Sequence, residues 1–252
     1  YHSMISHGRN VFIMREYIGN NSQLFDVRQY TLTDGKANGT RAISVWNGGG
    51  LSFTVLPDRC LDIAEVRYCG NNMSYITPSG IVAPQFFDPD GISWLRSFGG
   101  GFLTTCGLEN IGVADGTPDL TMHGRIGNTP CENLCVDPDD DGLGVTIKGT
   151  AREAVLFGCK LTLRREYRCV YGEDRIRFTD VITNRGFEKV PVSVLYHMNM
   201  GYPLLSEKAK LVIPSAEVYA RDDHANAHIS EWNKVTARQH GFTEMCYYHK
   251  LS

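Results

Sequence analysis

The 252-residue chain lacks any apolar run near the roughly 18 residues a membrane span needs, so a membrane partner is not expected. It also lacks a basic excess. Its 25 Lys and Arg stand against 28 Asp and Glu, a formal net charge of −3, so nothing tracks a phosphate backbone and nucleic acid is not an expected partner. Eight cysteines are present without CxxC grammar: only Cys131 and Cys135 lie close together, whereas a zinc site usually takes two close pairs of ligands, so no metal is expected. The phosphate-loop pattern GxxxxGK[ST] is missing, and no GxGxxG follows a strand and opens a helix. No cofactor is expected. The N-terminal YHSMISHGRN has no signal-peptide core, which predicts a cytoplasmic protein with reduced thiols.

Helical periodicity is scarce as well. What recurs instead is short runs of β-branched and aromatic residues between glycine and proline punctuation. Strands are expected at 11–18, 24–32, 40–46, 51–56, 62–68, 143–151, 159–171, 174–183 and 190–197. In RIRFTDVIT, period-two geometry puts Ile176, Phe178, Asp180 and Ile182 on one face, and Arg175, Arg177, Thr179 and Val181 on the other. One mostly apolar face and one polar face suit antiparallel sheets packed in a sandwich, so the fold expected is all-β. With no internal repeat or linker, residues 1–252 are expected to form a single domain. The stretch 78–98, with three prolines and no alternation, predicts a long irregular excursion of the kind that often carries function.

Three stretches carry candidate chemistry. In SVLYHMNMGYPLL, alternation places Val192, Val194 and Tyr196 on one face and Ser193, Leu195 and His197 on the other. His197 therefore sits at a strand mouth, where an imidazole of ordinary pKa near 6.5 can give or take a proton. A core histidine bonded to a carbonyl is the competing reading. In LTMHGRIGNTP, His123 has a glycine beside it and the donor fork of Arg125 two residues on, against the plainer reading of a turn histidine with a solvated arginine. In VLPDRCLDI, Arg59 is flanked by Asp58 and Asp62, which fits a structural ion pair or sugar binding. The three glycines of SFGGGFLTTCGLENIG allow close approach of a backbone or a ligand. Glu244 and His249 would point to opposite faces of a strand.

In order, VLPDRCLDI, FGGGFLTTCGLENIG, MHGRIGNTP, VITNRG and LYHMNMGYPLL resemble the aldose 1-epimerases, in an uncharacterised branch of the galactose mutarotase-like superfamily. The resemblance covers residues from about 45 to 205. It implies a β-supersandwich of antiparallel sheets with a small-molecule carbohydrate bound in a broad cleft and no cofactor. It also implies general acid and base catalysis: one histidine protonates the ring oxygen, and a carboxylate takes the anomeric proton so that the ring opens and recloses on its other face. His197 falls on the acid position and His123 on the supporting histidine. Arg59, Arg125, Asn110 and Asn199 are the expected substrate-binding groups. The family's Asn-Arg pair is replaced here by TTCGLEN, so galactose and glucose are not assumed. The family's glutamate base has no match before Ser252, so the chain is expected to be C-terminally truncated, with Glu244 as the substitute candidate.

Three functional readings remain open on the sequence: an aldose 1-epimerase-like isomerase, a carbohydrate-binding protein without chemistry, and a metal-dependent sugar isomerase using His123, His197 and His249.

Overall fold

The computed structural model describes residues 15–113, 117 and 120–252. The chain divides into two compact units, Tyr1–Asn199 and Met200–Ser252.

The first unit holds two antiparallel sheets. One runs β1 (Asp26–Thr31), β2 (Arg41–Trp46), β3 (Leu51–Leu56), β4 (Asp62–Tyr68), β6 (Leu103–Leu108) and β11 (Ser193–Met198), with the two-residue β5 (Asn71–Asn72) paired to β4. The other runs β10 (Arg177–Asn184), β9 (Lys160–Val170), β8 (Gly144–Ala154) and β7 (Glu132–Pro138). Alternation decides their faces. On β2 and β3, Ile43, Val45, Phe53 and Val55 turn inward to meet Val145 and Ile147 of β8 and Tyr167 and Cys169 of β9 in one core. A second cluster joins Leu108 and Ile126 to Ala151, Leu161 and Leu163. Each such Val, Leu, Ile or Phe contributes about 1.5–3 kcal/mol on burial. The opposite face of the large sheet carries Ala42, Leu56 and Ala64, against which Ile81 of the 78–98 excursion packs.

The all-β class and eight of the nine expected strands stand in the structure with ends displaced by a few residues. The ninth, at 11–18, falls partly outside the described residues, and its described part, 15–18, contains no strand. Strands β6 and β7 were not expected. LTTCGL shows no apolar-polar alternation because β6 is buried on both faces, whereas ENLCVDP alternates only over Leu134 and Val136, which pack on the core between exposed neighbours.

Between the sheets lies a polar knot. Arg165 of β9 is fully buried, in phase with Leu161, Leu163 and Tyr167. Its Nε and Nη2 donate to the two oxygens of Asp180 at 2.8 and 2.7 Å, Nη1 donates to Asp62 at 3.0 Å, and Nη2 also donates to Thr105 at 2.8 Å. Tyr196 Oη donates to Asp180 at 2.9 Å, and Tyr167 Oη donates to the Leu61 carbonyl at 2.8 Å. The knot thereby ties β4, β6 and β11 to β9 and β10. Burial pushes the Asp62 carboxyl up, opposed by Arg165 and by the bonds from Thr105.

The second unit is built on the antiparallel pair β12 (Ser215–Ala220) and β13 (Tyr247–Leu251). A short helix, Asp223–Asn226, follows β12, its N-terminus capped by Asp222 accepting the Ala225 N–H. Among the described residues no helix is long and apolar enough to cross a membrane.

Candidate functional site

Register places His197. It lies opposite Thr104 across the β11–β6 ladder, while the preceding pair, Tyr196 and Thr105, turns inward to the Arg165 knot. His197 is therefore on the outer face of the large sheet, the face that the 78–98 excursion covers. The excursion brings Trp94 and Phe98 to the same place. Trp94 stacks on Phe98 with ring centroids 4.7 Å apart, and the Phe98 ring meets His197 edge-on at 5.4 Å.

His123 arrives from the loop before Cys131. Gly124 bridges Gly107 of β6 in parallel register, and the Gly107 N–H donates to the His123 carbonyl at 2.9 Å. Here glycine is required: Gly124 has φ +72, and a Cβ on it would overlap the Gly107 carbonyl. His123 itself takes φ +57, a left-handed conformation that a side chain opposes and that recurs at functional sites. Its ring lies 5.6 Å from His197, nearly perpendicular to it, and 4.9 Å from Trp94. Two histidines from different segments thus share one corner, backed by two aromatic rings.

The His123 tautomer follows from its partner. The Gly112 N–H donates to His123 Nδ1 at 3.2 Å, and a backbone N–H can only donate. Nδ1 therefore carries a lone pair, and the proton of the neutral imidazole is on Nε2. This makes His123 a donor at Nε2, unsuited to bind a metal there, since a ligating Nε2 needs its proton on Nδ1.

The expected substrate-binding groups are placed as follows. Arg59 is buried, and its Nε donates to the Gly127 carbonyl at 2.7 Å while Nη1 donates to those of Val82 and Ser97 at 2.6 and 3.1 Å. It clamps the excursion on either side of Trp94 and fixes it to the 126–128 turn. Burial lowers its pKa to about 10, and Asp62 opposes that fall. Asn110 donates to the Thr121 carbonyl at 2.7 Å, and Asn199 donates to the carbonyls of Gly101 and His197 at 2.9 and 3.0 Å. These three side chains hold the backbone around the histidine pair. Arg125 is partly buried, at the start of the 126–128 turn. Glu244 belongs to the other unit, is exposed, and accepts from Arg221 at 2.7 Å. His249, also in that unit, hydrogen-bonds Ser215 Oγ through Nδ1 at 2.8 Å and meets the Trp232 ring at 4.6 Å.

Trp94, Phe98 and Glu153 were not singled out by the sequence reading. Glu153 had a signal: it continues the inward phase of Val145, Ile147 and Ala151 along β8, where a carboxylate is out of place. It forms with Glu109 and Cys159 a cluster whose donor atoms lie within 4.8 Å of one another. Both Glu153 oxygens already accept backbone N–H groups, and burial, reinforced by Glu109, pushes the Cys159 thiol up to about 12, so the protonated form persists. In this cluster Glu153 grips the end of β6 through both oxygens, while the Glu109 side chain bonds the Cys159 thiol.

The two packed antiparallel sheets that carry this corner have the mutarotase-like β-sandwich fold of the solved structures the chain is similar to. The particular family is shown by a match over residues 37–252 to the Domain of unknown function (DUF4432), and the chain belongs to it. Among solved structures it is similar to a "putative aldose 1-epimerase" from Klebsiella pneumoniae subsp. pneumoniae MGH 78578, at 28% identity and a TM-score of 0.82, covering 88% of this chain and 60% of that one. It also shares its fold with galactose 1-epimerase from Lactobacillus acidophilus NCFM, at 14% identity and a TM-score of 0.57, covering 80% of this chain and 60% of that one. The chain thus spans about 60% of the length of each. No curated protein matches it.

Proposed function

We propose that the protein is a sugar-active isomerase of the aldose 1-epimerase kind. The observation that carries this reading is the edge-on pair of His123 and His197, 5.6 Å apart, beside the Trp94 and Phe98 rings. An aldose ring resting near the aromatic pair meets two imidazoles. His197 is the general acid that protonates the ring oxygen, and His123, fixed as the Nε2–H tautomer, donates a hydrogen bond to a sugar oxygen without exchanging its proton. A carboxylate takes the anomeric proton. Glu244, the sequence candidate for that base, lies in the second unit and accepts from Arg221 at 2.7 Å.

The metal-dependent alternative is disfavoured by the Gly112 bond, which leaves His123 with its proton on Nε2, and by the bond that His249 makes to Ser215 in the other unit. Arg59, Asn110 and Asn199 donate to backbone carbonyls and so shape the corner around the histidine pair, which bears equally on the isomerase and on the non-catalytic binder.

Saturation-transfer NMR against a panel of aldoses, ketoses and uronic acids reads binding and anomer exchange together. The isomerase reading expects both, with exchange lost and binding kept in His197→Ala, and a further loss of exchange in Glu244→Gln only if that residue is the base. Binding without exchange in the unaltered chain makes the protein a carbohydrate binder, and equal exchange in His197→Ala removes that histidine from the chemistry.

A further inference from the structure

A line of contacts leads from the small sheet to the His123 ring. Glu153, buried on β8, accepts the Leu108 N–H on Oε2 and the Glu109 N–H on Oε1, both at 3.2 Å. Leu108 is the last residue of β6, and the chain beyond it runs directly over His123. Asn110 there donates to the Thr121 carbonyl, the Gly112 carbonyl accepts the His123 N–H at 2.8 Å, and the Gly112 N–H reaches His123 Nδ1. Residues 107–112 therefore hold both the backbone and the ring of His123, and Glu153 is the side chain that fastens this segment to the opposite sheet.

We propose that Glu153 is a positioning residue for His123: its carboxylate anchors the 108–112 segment, and that segment holds the imidazole as the Nε2–H donor. The role of that donor rests on the isomerase reading above, whereas the anchoring itself does not.

An apolar side chain at 153 would fill the same space, but it would leave the buried Leu108 N–H and the part-buried Glu109 N–H without their acceptor. The groups facing Glu153 are Glu109 on the anchored segment, Arg125 at the start of the 126–128 turn, and Cys159, whose Sγ lies 3.8 Å from the Glu153 carbonyl with Lys160 beyond it. Burial pushes the Glu153 carboxyl up to about 7, opposed by the Leu108 and Glu109 N–H groups, assisted by the Glu109 charge and opposed by Arg125. The anchor thus changes its charge near neutrality. Once protonated, one of its oxygens becomes a hydroxyl, and the two N–H groups no longer both have a strong acceptor.

The test is the ring 15N spectrum of His123 in the full chain, which distinguishes the two neutral tautomers and the cation. At pH 8 the unaltered protein is expected to show the Nε2–H tautomer alone, and that signature is expected to drift as pH falls through about 7. In Glu153→Gln the amide offers one acceptor for two donors, so the pH 8 spectrum shifts to an average of both tautomers. An unchanged Nε2–H signature in that variant overturns the proposal. Should Glu153→Gln not fold, Glu109→Gln reads the same relay, because removing the neighbouring charge moves the midpoint of the drift to lower pH, and an unmoved midpoint overturns it equally. A tautomer shift in a protein that shows no anomer exchange leaves the anchor standing and removes the isomerase reading. Exchange with no tautomer shift does the reverse.

Discussion

The ring of His123, held by the backbone of Gly112, stands edge-on to that of His197 at a centroid distance of 5.6 Å, although one histidine comes from a loop and the other from a strand end. Neither ring has that neighbour without the folding of the large sheet. If the two act on one sugar, their losses are not additive. His123→Ala and His197→Ala are each expected to lower anomer exchange, by about 10²–10⁴-fold for the proton donor, and the double variant to fall little further than His197→Ala alone. Multiplicative losses, read by NMR exchange rates, would mean that the two histidines serve different events.

Arg165 is the only cation in direct contact with both Asp62 and Asp180 among the described ion pairs. Arg165→Met fills similar space but leaves two buried carboxylates without their direct ion-pair partner, so it is expected to lose about 3–5 kcal/mol of stability in urea unfolding followed by tryptophan fluorescence. A loss under 1 kcal/mol would show that the knot relaxes by neutralising the acids.

Glu153 makes stability depend on pH. Its folded pKa, about 7, lies above its ordinary 4.5, so the folded state binds more protons between those values. The contribution is fully present below about pH 4.5, falls as pH rises and is gone above about 7, a change of about 3 kcal/mol. Glu153→Gln is expected to flatten that part of the stability profile. A profile of unchanged slope would place the titration elsewhere.

Gly124 admits no side chain, since its φ is positive and a Cβ would meet the Gly107 carbonyl. Gly124→Ala is expected to cost about 1–3 kcal/mol and to displace His123, weakening sugar binding while the far end of the sheet keeps its melting behaviour in amide exchange. Normal binding in a destabilised variant would show that His123 tolerates a moved backbone.

Much of the fold was legible because the strands announce themselves by alternation. The faces of RIRFTDVIT were assigned with Asp180 inward, and the structure gives that aspartate its reason in Arg165. Strand β6 escaped notice because it is buried on both sides and carries a glycine, so no period-two signal survives. His197 at the end of its strand was legible from the phase of the residues before it. Arg59 was legible as a site arginine only by its motif, and its three carbonyl partners lie in segments that no local pattern links to it.

The sequence by itself determined the all-β class, the two faces of the strands at 174–183 and 190–197, and the two histidines as the chemical candidates, because period-two geometry and side-chain chemistry are local properties of the chain. Only the tertiary structure decided that those histidines meet, that Trp94 and Phe98 back them, that Gly112 sets the tautomer of one, and that Arg59 and Glu153 serve as anchors. Each of these depends on which distant segments become neighbours, and that is settled by packing two sheets over a shared core rather than by any run of residues.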